Sequence, residues 1–330
     1  MTEQKLWTWS FINVWISNFF IFLVFYLLFV TLPIYVLNEL EAGEGTAGLM
    51  ITIFLIAAVL IRPLTGHWVE TLGRLPVLYT ALIIFFLSTC LYLVTESLAV
   101  LLCIRFLHGI GFGMASTVLG ALAADVVPDR RKGEGVGYFA MSMNVAMVAG
   151  PFFGLTLIQS FSYPVMFVSC LAASAIALLT GGLIRVPKTK IRLVRASFVP
   201  KLNGLFEKEV VPLAITGAIA SLAYAAVLSF VSVYAVELGL GQAASYFFMV
   251  YAIVLLLSRP FTGRWFDRYG ENVIVIPSII VFGIGLIVLS MADSAFTLLA
   301  AGGLIGLGWG TMLPSMQTIA LKKFRRGPDL

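Results

Sequence analysis

Ten stretches of mostly apolar residues dominate this chain, at about 11–36, 46–66, 76–95, 97–126, 136–160, 163–185, 210–236, 243–262, 273–293 and 296–320. A helix needs about 20 apolar residues to cross about 30 Å of hydrocarbon, so each stretch is long enough to span a bilayer. Strands are excluded, because barrel segments alternate in polarity and these runs are apolar all round. The first run is too long for the apolar core of a signal peptide and lacks a small-residue cleavage site, so it counts as a span. With 60% hydrophobic and 11% charged residues in 330, the chain lies far from soluble proteins, which are about one-quarter charged. These features define an all-α integral membrane protein.

The few charges are distributed by side. If Met1 is inside, Lys5, Arg74, "DRRKGE" at 129–134, seven basic residues between Arg185 and Lys208, Arg264, Arg268 and the tail "LKKFRR" at 321–326 share one face. The opposite loops hold Glu39, Glu41, Glu44, Glu96, Glu237 and Asp293. That is the positive-inside pattern and predicts a cytoplasmic N-terminus. It also accounts for the net charge of +5 without nucleic acid. Cys90, Cys103 and Cys170 all fall in apolar spans and are expected to be free, buried thiols.

Laid against itself at an offset of 197 residues, the chain repeats. Ile56, Leu60, Arg62, Pro63, Thr65, Gly66, Trp68 and Gly73 meet Ile253, Leu257, Arg259, Pro260, Thr262, Gly263, Trp265 and Gly270, with Glu70 opposite Asp267. At the same offset Gly109, Gly111 and Gly113 meet Gly306, Gly308 and Gly310. Two separate matches at one offset indicate internal duplication. An even number of spans separates the copies, so both halves share one orientation, a parallel-repeat arrangement known among transporters. The expected organisation is a six-helix bundle over 1–185, a basic cytoplasmic linker over 186–209, and an incomplete four-helix bundle over 210–330. Two copies at this offset lead to an expected length of about 390–400 residues and twelve helices, of which ten are present.

These motifs resemble the major facilitator superfamily. "GHWVETLGR" is similar to its Gly-x-x-x-Asp-Arg-x-Gly-Arg loop through Gly66, Gly73 and Arg74, with Glu70 in the place of Asp and Thr71 in the place of Arg. "GRWFDRYG" matches it more closely through Gly263, Asp267, Arg268 and Gly270. "RFLHGIG" resembles the fourth-helix motif through Arg105, Gly109 and Gly111. "AGPFFGL" resembles the fifth-helix motif of the drug:proton antiporter branch through Gly137, Gly150, Pro151 and Gly154, although Ala146 and Leu155 depart from its usual glycines. The resemblance implies a secondary active transporter in a bacterial plasma membrane that exports a small amphipathic or hydrophobic compound by alternating access, with protons as a possible coupling ion. The alternatives are an importer or facilitator of a small metabolite, or an inactive truncated transporter.

Specific residues carry these expectations. Glu70 and Asp267, with Arg74, Arg130, Arg131 and Arg268 as partners, are the candidate latch of a cytoplasmic gate, because a carboxylate at a helix end is held by nearby cations and helix N-termini. Arg105 lies eight residues beyond Ser97, roughly 12 Å along its helix, where a cation costs at least ~2.5–3.5 kcal/mol unless it meets a cavity or a partner. His108 shares its face one turn on and is a candidate proton carrier. Asn13, Ser17, Asn18, Asn144 and Tyr224 join them as candidate cavity residues, because polar groups in apolar spans need partners. Gly109, Gly111, Gly150 and Gly154 read as close-packing positions, and Pro151 as a bending point. "GIGFG" at 109–113 follows no strand, so it is not a nucleotide loop. Two dispersed histidines and three dispersed cysteines make no catalytic or metal cluster, so neither an enzyme nor a cofactor is expected. A small-molecule substrate and the lipid bilayer are the expected partners of a monomer, and no span has an acid near its centre.

Overall fold

The computed structural model describes residues 6–95, 97–128, 131–185, 211–269 and 271–324. Among these it holds ten α-helices: α1 (Trp9–Asn38), α2 (Glu44–Leu72), α3 (Arg74–Leu91), α4 (Leu98–Val126), α5 (Lys132–Ser160), α6 (Tyr163–Gly182), α7 (Val211–Glu237), α8 (Gly241–Tyr269), α9 (Asn272–Ser290) and α10 (Ala295–Phe324). Each contains a stretch long and apolar enough to cross a membrane. The chain divides into two compact units, Met1–Pro200 and Lys201–Leu330. The basic stretch 186–209 lies outside the described residues.

Within the first unit, α1 packs on α5, α6, α4 and α2, while α4 packs on α2 and α3. Within the second, α10 packs on α8 and α9, and α7 on α8 and α10. The pairs α2–α4 and α3–α4 thus have their counterparts in α8–α10 and α9–α10. Glycines show that the correspondence reaches individual atoms. A Cβ on Gly109 would strike the Phe54 carbonyl oxygen, and one on Gly306 the Tyr251 carbonyl oxygen. A Cβ on Gly111 would lie 2.7 Å from Phe85 N, and one on Gly308 2.5 Å from Phe282 N. Phe54 and Tyr251, like Phe85 and Phe282, are 197 residues apart. Both copies use the absent side chains to bring helix backbones together.

The same device joins α1 to α5. A Cβ at Gly150 would meet Leu27 N at 2.9 Å and one at Gly154 would meet Thr31 Cγ2 at 2.8 Å. Pro151 lies inside α5, which continues as helix on both sides of it. Gly137 belongs to α5 as well.

The expectation of motif loops needs correction. Gly66, His67 and Glu70 belong to the last turns of α2, and the connection to α3 is the single residue Gly73. Nothing before Gly73 stops the helix. Thr65 and Thr71 return their hydroxyls to the Ile61 and His67 carbonyls, 2.8 and 3.1 Å away, instead of capping an end. At φ 88° and ψ 163°, Gly73 takes a conformation open essentially to glycine alone. Gly263, Asp267 and Arg268 likewise belong to α8, whereas Gly270 lies outside the described residues.

The expectation of buried thiols is corrected too. All three cysteines are free, but only Cys170 is buried; Cys90 is half-buried and Cys103 is exposed on α4. A small apolar side chain loses little by facing lipid, so an apolar span does not make it a core position.

Candidate functional site: a buried arginine cluster

Arg105 and His108 are both fully buried on α4, one helical turn apart. Arg105 sits about 10 Å into the helix from Leu98 and donates from Nε to the Met50 carbonyl of α2 at 3.1 Å. Its guanidinium carbon stands 4.3 Å from the centre of the Phe54 ring, in cation–π contact. Nη1 donates to the Tyr92 hydroxyl at 3.5 Å, and Nη2 is buried without a hydrogen-bond partner. Tyr92 Oη lies 3.2 Å from His108 Nδ1, and Thr89 Oγ1 lies 3.5 Å from His108 Nε2. The rings of Phe85 and Phe54 flank the imidazole at 4.3 and 5.5 Å. Tyr92 in turn stacks on Phe167 of α6 at 5.6 Å. A cation and an imidazole from α4 are therefore walled in by α2, α3 and α6.

The aromatic shell continues inward. Phe25 stacks on Phe112 at 4.8 Å and on Phe54 at 5.4 Å. In the second unit Tyr224 stacks on Trp309 at 4.2 Å and on Tyr251 at 6.0 Å. Tyr251 and Trp309 are Phe54 and Phe112 displaced by 197, so the aromatic layer is duplicated as well.

Of the remaining polar candidates in the first unit, Ser17 and Asn18 join helices. Asn13 donates to the Trp9 carbonyl of its own helix at 2.8 Å. Ser17 donates to the Ala177 carbonyl of α6 at 2.9 Å. Asn18 donates to Ser142 Oγ of α5 at 2.8 Å, leaving Asn18 Oδ1 buried and unpaired. Asn144 is half-buried on α5. Asn13, Ser17 and Asn18 thus each have a hydrogen-bond partner within the first unit.

At the α2–α3 end, the partner of Arg74 is Asp125, near the end of α4. Arg74 opens α3 and Asp125 closes α4, so each charge faces the unfavourable end of its own helix dipole and the pair offsets both. Glu70 is exposed on the last turn of α2. Arg74, one of the four cations named as partners for Glu70 and Asp267, is thus paired with Asp125. Arg131 is half-buried just before α5, and Arg130 lies outside the described residues. Thr89, Tyr92 and Ser142 were not legible as site residues, since neutral hydroxyls within or beside apolar runs carry no charge signal. Among the described residues there is no group of three or more His, Cys, Asp or Glu able to hold a metal.

The chain matches the Major Facilitator Superfamily over residues 14–328 and belongs to it. This is a family of membrane transporters and not of enzymes. Among curated proteins it is similar to the quinolone resistance protein NorA of Staphylococcus aureus (strain MRSA252), 29% identical over 145 residues, covering 43% of this chain and 37% of that protein. It is also similar to multidrug resistance protein 1 of Bacillus subtilis (strain 168), 25% identical over 153 residues, covering 46% of this chain and 39% of that protein. The chain thus spans about two-fifths of the length of the curated relatives it matches.

Proposed function

We propose that this protein is a secondary active transporter of a bacterial plasma membrane that exports a small amphipathic or hydrophobic compound by alternating access. The observation that carries the reading is the buried charge of Arg105 on a membrane-spanning helix. A cation there costs at least ~2.5–3.5 kcal/mol on the mildest scale, and among the described residues no carboxylate is bonded to it. Such a charge supports a role in coupling transport to an ion, with protons as the candidate. The names of the relatives, which speak of resistance to quinolones and to several drugs, support the outward direction. The Arg74–Asp125 pair joins Glu70, Asp267 and Arg268 as candidates for the gate at the cytoplasmic face, with the N-terminus on the same side.

The test compares cells with and without the protein against a broad panel of toxins and metabolites, followed by uptake into inverted vesicles with and without a proton gradient. Gradient-dependent uptake of at least one compound, lost in Arg105→Gln, is the expected result. Unchanged sensitivity and accumulation across the whole panel overturns export.

A further inference from the structure

The hydrogen bonds around His108 run in only one direction. Thr89 donates its hydroxyl hydrogen to the Phe85 carbonyl at 2.8 Å, so towards His108 Nε2 its oxygen has only lone pairs to offer. The ring nitrogen facing Thr89 must therefore carry a hydrogen. On the other side, Arg105 Nη1 has hydrogens and no lone pair, so Tyr92 Oη accepts from it. The phenol's own hydrogen is then directed at His108 Nδ1. A ring nitrogen that accepts a hydrogen bond carries no hydrogen. The chain runs Arg105, Tyr92, His108, Thr89, Phe85 carbonyl, each donating to the next, and fits one state of the imidazole: neutral, with its hydrogen on Nε2.

The surroundings oppose a second charge. The groups in contact with the ring are Thr89 and Phe85 from α3, Tyr92 just beyond it, and Phe54 from α2, with Arg105 of α4 on the far side of the Tyr92 hydroxyl. An imidazolium there would share the Tyr92 hydroxyl with a guanidinium in a buried site and would break the bond from Tyr92.

We propose that Tyr92 and Thr89 are positioning residues that hold His108 as the neutral Nε2–H tautomer. His108 is then a fixed relay of hydrogen bonds that orients Arg105, and the cluster carries one permanent charge. His108 does not gain and lose the coupling proton. The transport part of this inference rests on the proposed role of Arg105 in export; the tautomer part stands without it.

The chain has two histidines, His67 and His108, so a His67→Gln variant labelled with ¹⁵N-histidine reports on a single imidazole in the full chain. The expected spectrum is the neutral Nε2–H form, unchanged from about pH 5.5 to about pH 8.5, a range that brackets ordinary imidazole titration. Removing the donor by Tyr92→Phe frees Nδ1, and the Nδ1–H form then rises to about one-tenth or more. An imidazolium signal or a dominant Nδ1–H form in the parent spectrum overturns the proposal, and an unaltered spectrum in Tyr92→Phe overturns the role of Tyr92.

In the export assay, His108→Gln is the sharper arm, because an amide oxygen and an amide N–H replace Nδ1 and Nε2–H without a titratable group. A loss of about two- to fivefold that keeps the parent's pH profile is expected for His108→Gln, against a loss of about tenfold or more for His108→Leu, which keeps neither ring hydrogen bond. A pH profile flattened by His108→Gln overturns the proposal. If the parent chain exports nothing, the export reading fails while the spectra still decide the tautomer.

Discussion

The two units share a scaffold and differ at the position that carries the charge. In the first unit Arg105 reaches across from α4 to the Met50 carbonyl of α2. The residues 197 positions on are Gly302 and Phe247, and a Cβ added to Gly302 would stand 3.0 Å from the Phe247 carbonyl oxygen. At this position a long side chain makes the contact between the helices in one copy, and the backbones approach closely in the other. His108, Tyr92 and Thr89 become Ile305, Leu289 and Leu286, so the whole hydrogen-bonded relay is replaced by apolar groups. One turn below, the glycine contacts of Gly109 and Gly306 are alike. Duplication preserved what closes the helices on one another, while the charged cluster belongs to the first copy alone.

The most damaging way to break this difference is to make the second unit resemble the first. Gly302→Arg drives a long side chain into the Phe247 backbone and ring. The expected loss exceeds about 3 kcal/mol, beyond ordinary overpacking, and is read as failure to recover folded protein on size exclusion. A well-folded Gly302→Arg protein would show that the second unit can make room here for a side chain like that of the first.

Next come Gly109→Ala and Gly306→Ala, which place a methyl against equivalent carbonyls. Each is expected to cost about 1–3 kcal/mol, with matching drops in melting temperature in detergent. A large cost in one unit and none in the other would break the equivalence of the repeats.

Arg105→Gln tests the charged side of the comparison. It shortens the reach to Met50 and removes the cation, with export expected to fall by about tenfold or more, the equivalent of about 1.4 kcal/mol. The melting temperature should move far less than in the glycine variants, because a neutral amide is cheaper to bury than an unpaired cation.

Smaller still is the Arg74–Asp125 pair, whose side chains are 33% and 29% exposed. Either alanine substitution should cost about 0.2–1 kcal/mol. The exchange Arg74→Asp with Asp125→Arg restores that loss or betters it, since each new charge then suits its helix dipole. Failure of the exchange to recover stability would argue for a partner beyond the pair.

Gly66→Ala should be the mildest. Nothing lies within 4 Å of a Cβ there, and replacing a helical glycine gains about 0.5–1 kcal/mol. Raised stability with lost export would show that this glycine is needed in a second arrangement of the helices.

The spans, the duplication and the need of Arg105 for a partner were legible in the order of residues. Each rests on a one-dimensional signal: length of apolar run, an offset shared by separate matches, and a charge where hydrocarbon forbids one. Thr89, Tyr92 and Asp125 were less legible as partners. A hydroxyl that returns to its own helix looks the same in the sequence whether or not it also meets an imidazole, as Thr156 and Thr89 show.

What the sequence by itself determined is the solvent, the helical class and the repeat, because the cost of exposing backbone to hydrocarbon leaves few other solutions. Only the tertiary structure decided that the motif residues finish a helix instead of forming a loop, that Arg74 pairs with Asp125, and that Ser17 and Asn18 fasten α1 to its neighbours. Those outcomes depend on which atoms of separate helices come within about 3 Å, and that distance is set by packing within the bundle, which brings together residues over a hundred positions apart, as at Ser17 with Ala177 and Asn18 with Ser142.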